Sequence, residues 1–377
     1  MNRRQAISKL SAGLIGATIT GVSGFVAGSY LAPFQQPRQV QPELRERTVT
    51  VERTLERTLT QTVTTQPRLE PVPLRFVATE GGVTTAPNAL MAKNLQDRGP
   101  QVGLRFESFN VVRGTGEAVR ELTDGRADVI GPVSVLSLMG AIERQPNIRI
   151  FYFNDYGAYA GIVVGPNVPY RSLEDMRRAI EQGRKIKIAF TRPGSLSHSY
   201  SILLARLLGV EYGREIEGVS LGEDAAIIAA LVRGDVDAYT TANIILGWSL
   251  EEEGRGRVIF YFRDLIGTQW HELSYATTTE VMTRSREAIR RFVTYIRETT
   301  RIAMLDKELT VSNMTADPPR GLGVKRPAAE RYYSFYLPNM VGAPVREALQ
   351  PMREIAVNAG ITRNPPEPQQ LYTTEFL

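Results

Sequence analysis

The stretch Glu117-Ala118-Val119-Arg120-Glu121-Leu122-Thr123-Asp124-Gly125-Arg126-Ala127-Asp128 reads as a helix, a glycine stop and the start of a strand. Later in the chain Asp224-Ala225-Ala226-Ile227-Ile228-Ala229-Ala230-Leu231-Val232-Arg233-Gly234-Asp235-Val236-Asp237 has the same form. Gly125 and Gly234 are expected to take φ > 0 at the helix end, where a side chain would be strained. An αβ connection used twice is therefore expected. Asp128 and Asp237 read first as turn residues. A functional reading would add that they start strands whose far ends face a cleft.

Working outward, the same alternation fills the chain from Leu74 onward. Leu74–Ala78 reads as a strand broken by Gly81-Gly82, and Ala86–Gln96 as a helix. Leu104–Phe109 is a strand, 116–124 a helix, Ala127–Ile130 a short strand, and Pro132 and Ser134 open another helix. Strands follow at Ile148–Phe153 and Ala158–Val164. Then come a helix over Leu173–Glu181 capped by Ser172, a strand Lys185–Phe190 and an apolar helix Tyr200–Leu208. Gly218–Leu221 reads as extended, Asp224–Arg233 as a helix, and Val236–Tyr239, Val258–Phe262 and Tyr275–Thr279 as strands. Helices Ser285–Asp306, Ala328–Tyr336 and Val345–Ala359 close the pattern, which Pro365-Pro366 ends. Strand and helix alternating at this spacing predict an α/β fold with mostly parallel sheets covered by helices.

Composition agrees with a globular body. Of 377 residues 42% are hydrophobic and 23% charged. Cysteine is absent, which excludes disulfides, a thiol nucleophile and cysteine metal sites. With only His198 and His271, a His-rich metal site is excluded too. The net charge of +5 is uneven: residues 1–70 carry nine Lys/Arg and five Glu, leaving 36 basic and 35 acidic groups beyond them. The body is thus near neutral, and the basic balance does not argue for nucleic acid.

The first 33 residues read as an export signal or membrane anchor. Arg3-Arg4 and Lys9 precede a run from Leu10 to Pro33 with no charged side chain. The arginine pair resembles a twin-arginine leader, although Ala6 stands where that motif favours Phe. Leu10–Leu31 supplies 22 residues, enough to cross a bilayer uncleaved. Residues 34–73 read as a linker or stalk. Gln and Pro cluster at both ends, and Val51, Leu55, Leu59 and Val63 recur every fourth residue between them. An extracytoplasmic, periplasmic or cell-surface location is expected.

With these features in order, the chain resembles the extracytoplasmic solute-binding proteins of the nitrate/sulfonate/thiamine-precursor type. The resemblance rests on Leu74–Ala78 with Gly81-Gly82, on the Gly125–Asp128 and Gly234–Asp237 turns, and on Gly165-Pro166-Asn167-Val168-Pro169-Tyr170-Arg171-Ser172-Leu173-Glu174-Asp175. The last stretch is followed by strand Ile186–Phe190 and the serine-rich helix start Pro193–Ser199. The resemblance spans about 74–360 and implies the bilobed type II periplasmic-binding-protein-like fold, with a central ligand cleft. Lobe 1 is expected at 74–163 with a return and C-terminal helices at 260–360, lobe 2 at 164–259, and a tail at 361–377. It also implies a receptor that captures a small solute and delivers it to a membrane permease, with ABC-type uptake favoured. The receptors of sodium-driven three-component carboxylate transporters are similar in the same places, and a surface sensor or scaffold is the other alternative.

A cleft ligand should meet strand carboxyl ends and helix starts. That points to Thr79, Glu80 and Gly82, to Arg113 and Thr115, to Ser134, and to Arg192, Ser195, Ser197 and His198. Hydroxyls and N–H groups at helix starts, with Arg113 and Arg192, make a receptor for an anionic group. Ser134, Thr115 and Ser195 as plain N-caps is the simpler alternative. Glu80 would suit a ligand amine or balance an arginine. Tyr239, Thr240 and Trp270 are candidate cleft walls. No nucleophile elbow, phosphate loop or zinc-protease helix is present, and His271-Glu272 lacks a second histidine at the required spacing. No enzyme, cofactor or metal is expected.

Overall fold

The computed structural model describes residues 70–155, 159–266, 270–336 and 342–377. The expected leader, and the linker up to residue 69, lie outside the described residues. The first run of elements is β1 (Val72–Thr79), α1 (Glu80–Thr85), α2 (Pro87–Asn94), a 3-10 turn (Gln96–Val102), β2 (Leu104–Val112), α3 (Thr115–Thr123), β3 (Val129–Ser134), α4 (Val135–Arg144) and β4 (Ile148–Phe153). The second is β5 (Gly161–Val164), α5 (Leu173–Glu181), β6 (Ile186–Phe190), α6 (Leu196–Leu208), β7 (Ile216–Ser220), α7 (Asp224–Arg233), β8 (Ala238–Thr241), α8 (Ile244–Glu252), β9 (Arg257–Tyr261) and α9 (Arg263–Ile266). The chain returns through β10 (Leu273–Thr278), α10 (Thr279–Arg284), α11 (Arg286–Leu305), α12 (Lys307–Thr315), α13 (Arg326–Tyr336), α14 (Arg346–Asn358) and α15 (Pro368–Leu371).

Two five-stranded sheets result, ordered β2-β1-β3-β10-β4 and β7-β6-β8-β5-β9. In each, four strands run one way and the fourth in the order runs against them: β10 pairs antiparallel with β3 and β4, and β5 with β8 and β9. The sheets are therefore mixed, each a parallel ladder with one reversed strand. That reversed strand is in both cases the first one laid down after the chain crosses between lobes. The chain crosses between β4 and β5 and again between β9 and β10.

Strand alternation fills both faces of each sheet. Leu74, Phe76 and Ala78 of β1 enter one core with α2 and α11, while Val77 enters the other with α3 and α4. In lobe 2, Ile162 and Val164 face one core and Val163 the other. The repeated αβ connection folds the same way twice. Gly125 and Gly234 have φ of 71° and 83°. The residues after them, Arg126 and Asp235, donate back to the carbonyls of Glu121 and Ala230. Asp128 and Asp237 then fasten the neighbouring strand. Asp128 accepts from Arg75 N at 3.0 Å while its own N–H donates to Arg75 O. Asp237 accepts from Lys187 N at 2.8 Å while its N–H donates to Lys187 O. Both aspartates are structural, at the strand ends away from the cleft.

Several elements differ from the sequence reading. Gly81-Gly82 lie inside α1 rather than breaking the chain, because Thr79 caps that turn by accepting from Gly82 N. β3 runs on through Pro132 to Ser134. Residues 361–377 are not a tail: Thr373 N donates to Ile150 O, and Leu371 and Phe376 are buried in lobe 1. Among the described residues no helix is long and apolar enough to cross a membrane.

Candidate functional site

Strand direction decides where the site lies. The carboxyl ends of β2, β3 and β6 face a cavity of about 940 Å³ between the lobes. Lobe 1 contributes residues 113–117 and Ser137; lobe 2 contributes 191–195, His198 and Ser199. The lobes touch across it, where Ser137 Oγ donates to Gly194 O at 3.1 Å.

The two helix starts are built differently. Ser195 caps α6 by accepting from His198 N, at 3.2 Å, and its hydroxyl lies 3.0 Å from Ser197 Oγ. Thr115 is the first residue of α3 rather than its cap. Gly114 holds that place without a side-chain bond, and Thr115 Oγ1 accepts from Ser134 N at 3.3 Å. Ser134 is buried and caps α4, accepting from Ser137 N. The N-cap alternative thus describes Ser134 and Ser195 but not Thr115.

Arg113 and Arg192 line the cavity from opposite lobes, and no ion pair among the described residues holds either guanidinium. Their charge is felt at Glu80, at the start of α1. Its carboxyl is raised above the usual range by partial burial, then by repulsion from Glu223 and Asp224, with Arg192 and Arg113 opposing. His198 also lines the cavity. Its Nδ1 accepts from Gly194 N at 3.1 Å and its ring lies 4.4 Å from Phe190. Burial lowers its pKa, so it is neutral near pH 7.

The structure places the other candidates elsewhere. Thr79 Oγ1 donates to Pro132 O and accepts from Gly82 N, so its hydroxyl is committed. Gly82 is there because α1 presses on β3: a Cβ would stand 2.1 Å from Pro132 O. Ser197 is buried, bonded to Thr191 N and Oγ1. Tyr239 points into the lobe 2 core and donates to Asp224, because residue 239 sits on the strand face away from α6. Thr240 lies under α6, donating to Ser197 O at 2.8 Å. Trp270 is fully buried between the crossings, 6.4 Å from the Tyr200 ring. Residues the sequence reading did not single out do line the cavity: Arg120, Arg144, Ser137, Ile202 and the backbone turn 359–361. Helical spacing was the signal: Ser137 follows Ser134 by three residues, and Arg120 and Arg144 follow Gly116 and Ser137 by four and seven.

The crossings carry fully buried ionisable groups. Asp155, in the first crossing, accepts from Glu272 N at 2.9 Å, Leu273 N at 3.2 Å and Tyr336 OH at 2.7 Å. Glu272, in the second, accepts from Tyr159 N at 3.1 Å and Tyr200 OH at 2.8 Å. Burial pushes Asp155 up to about 7 despite these donors. Burial and then the Asp155 charge push Glu272 well above the carboxylate range. His271 Nε2 accepts from Val345 N, which leaves the ring proton on Nδ1, 2.6 Å from Asp155 O. Burial lowers this histidine to about 4. These groups tie the crossings together outside the cavity. Among the described residues no group of three or more His, Cys, Asp or Glu is placed to hold a metal ion.

Comparison with known proteins agrees with this architecture. A family described as NMT1/THI5 like matches residues 204–308. A search of curated proteins found no match. Among solved structures, the periplasmic aliphatic sulphonate binding protein SsuA from Escherichia coli superposes with a TM-score of 0.63 at 18% identity, covering 81% of this chain and 92% of that one. The alkanesulfonate-binding protein SsuA from Xanthomonas axonopodis pv. citri, bound to MOPS, gives 0.62 at 17%, covering 79% and 96%. The ligand-binding component of an ABC-type import system from Staphylococcus aureus, with zinc bound, gives 0.62 at 15%, covering 81% and 97%. The described part of the chain thus has the bilobed fold of the periplasmic solute-binding proteins.

Proposed function

We propose that this protein is an extracytoplasmic receptor that captures a small anionic solute between its lobes and delivers it to a membrane permease. The observation that carries the reading is the cavity itself. Helix starts from both lobes converge there with Arg113 and Arg192, and no ion pair among the described residues neutralises either one. Unpaired N–H groups at a helix start favour an anion, and a guanidinium fork adds two donors. The fold relatives include a sulphonate-binding protein and a component of an ABC-type import system, which supports an ABC-type uptake system over a sodium-driven one. The charged start and uncharged run of residues 1–33 support a place outside the cytoplasmic membrane, tethered by that segment if it is uncleaved.

The test is calorimetric titration with methanesulfonate, MOPS, nitrate and short carboxylates, on the purified chain and its Arg192→Ala form. A charge-assisted hydrogen bond contributes about 1.5–3 kcal/mol, so the variant should bind an accepted anion roughly 10- to 150-fold more weakly. Equal dissociation constants would remove Arg192 from the site. Binding of cationic solutes alone would overturn the anion reading and turn attention to Glu80.

A further inference from the structure

The cavity does not stop at the helix starts. It continues as a groove along one stripe of each of two helices, Gly116, Val119 and Thr123 on α3 and Ser137, Ala141 and Arg144 on α4. Both helices follow strands that run the same way, so both point outward from the cleft. From Ser137 to Arg144 the groove is about 10 Å long at 1.5 Å per residue. Its inner end holds Arg113 and Arg192, its outer end Arg120 and Arg144. Between them the lining is apolar, from Val119, Ala141 and Ile361. The Ile361 wall is held close, since a Cβ on Gly140 would meet Ile361 O at 2.6 Å.

The charge is one-sided. The four arginines share the lining with one carboxylate, Glu117, which is already engaged by the backbone N–H of Arg113 at 3.0 Å. None of the four is in an ion pair among the described residues. An arginine in a helix's last turn complements the dipole, and that accounts for Arg120 and Arg144 singly. It does not account for both lining one groove that begins at a second arginine pair. A volume of about 940 Å³ is also far more than a lone oxyanion fills.

We propose that the groove takes an elongated dianion, a solute with an apolar spacer and an anionic group at each end. Arg113 and Arg192 with the helix starts hold one end, and Arg120 with Arg144 holds the other. The proposal rests on the reading of the cleft as an anion receptor and narrows its solute class.

Nonanedioate, butanedioate and nonanoate serve as probes, titrated calorimetrically at low salt into the full chain. The first matches the groove's span with two charges, the second has two charges too close together, and the third has one. Nonanedioate should bind roughly tenfold or more tighter than either of the others. The Arg120→Ala/Arg144→Ala double variant should weaken nonanedioate at least about fivefold more than nonanoate. Both residues are exposed, so the double variant keeps the fold. Nonanedioate binding no tighter than nonanoate, an equal loss for both probes, or no binding of any probe would each overturn the dianion. If nonanoate binds, depends on Arg192 and is not bettered by nonanedioate, the receptor reading survives and the dianion does not. If Arg192→Ala leaves every bound probe unchanged, the receptor reading fails as well.

Discussion

Gly82 shows how little a residue type says about its role until its neighbours are known. In the sequence it is one of two glycines in a turn facing a ligand. In the fold it is the point where α1 touches β3, with Pro132 O where a side chain would begin. Gly82→Ala should therefore cost about 2–3 kcal/mol, the usual cost of forcing atoms into a filled space. Gly81→Ala should be nearly neutral, since nothing lies within 4 Å of its added carbon. Urea unfolding of the two variants separates them, and equal midpoints would disprove the close approach. The cleft residues were legible as loops but not as directions. Thr115, Arg113, Arg192, Ser195 and His198 line the cavity, whereas Thr79, Ser197, Tyr239, Thr240 and Trp270 are turned into bonds or core. Position along the chain places a loop at the cleft edge; the strand's period of two and local hydroxyl networks decide which side chain enters.

At the scale of the element, the repeated αβ connection is the most informative unit. Asp128 is held by Arg75 and by Arg284 at 2.8 Å each, while Asp237 has the single guanidinium of Arg184 at 2.8 Å, nearly half exposed. Asp128→Asn should therefore destabilise more than Asp237→Asn, by about 2–3 against 1–2 kcal/mol. Burial raises the Asp128 pKa, but hydrogen bonds from Arg75 and Arg284 outweigh it and the net shift is downward. Its stabilisation is then present above the unfolded value and lost as pH falls through the lower folded one. Thermal unfolding at pH 7 and pH 3 checks both points: the gap between wild type and Asp128→Asn should narrow in acid. Helix α7 and helix α5 were read at their observed bounds because glycine and serine punctuate them. Helix α8 was missed. It buries Ile244, Ile245 and Trp248 toward the lobe 1 core and Leu250 toward the lobe 2 core, so no polar face marks its period.

For the molecule as a whole, the buried carboxyls at the crossings have a pH dependence opposite in sign to that of Asp128. Asp155 and Glu272 have folded pKa values above their unfolded ones, so each binds a proton more tightly when folded. Their burial is tolerated in acid and becomes a cost as pH rises, for Asp155 between about 4 and 7. His271, lowered to about 4, acts in the opposite sense between about 4 and 6.5, where the unfolded chain takes up the proton first. Two carboxyls against one imidazole leave a net loss of stability as pH rises. Asp155→Asn removes one carboxyl and should flatten the profile, gaining about 2–4 kcal/mol relative to wild type between pH 5 and pH 8. Melting temperatures across that range measure it, and parallel curves would mean that Asp155 is ionised throughout. Helix α13 adds a second tie between the lobes. It follows β10 in the chain, yet Arg331 lies 4.0 Å over the Trp248 ring and Lys325 N donates to Ser249 Oγ, both on α8.

The reversed strands also set the order in which the two sheets can be finished as the chain is made. All five strands of the second sheet lie within residues 161–261, so it is complete as soon as that stretch leaves the ribosome. The first sheet has four strands by residue 153 but an empty place between β3 and β4, which only β10, at residues 273–278, can fill. The lobe that begins first is thus finished last, and until β10 arrives β3 and β4 present unpaired edges of the kind that invite aggregation.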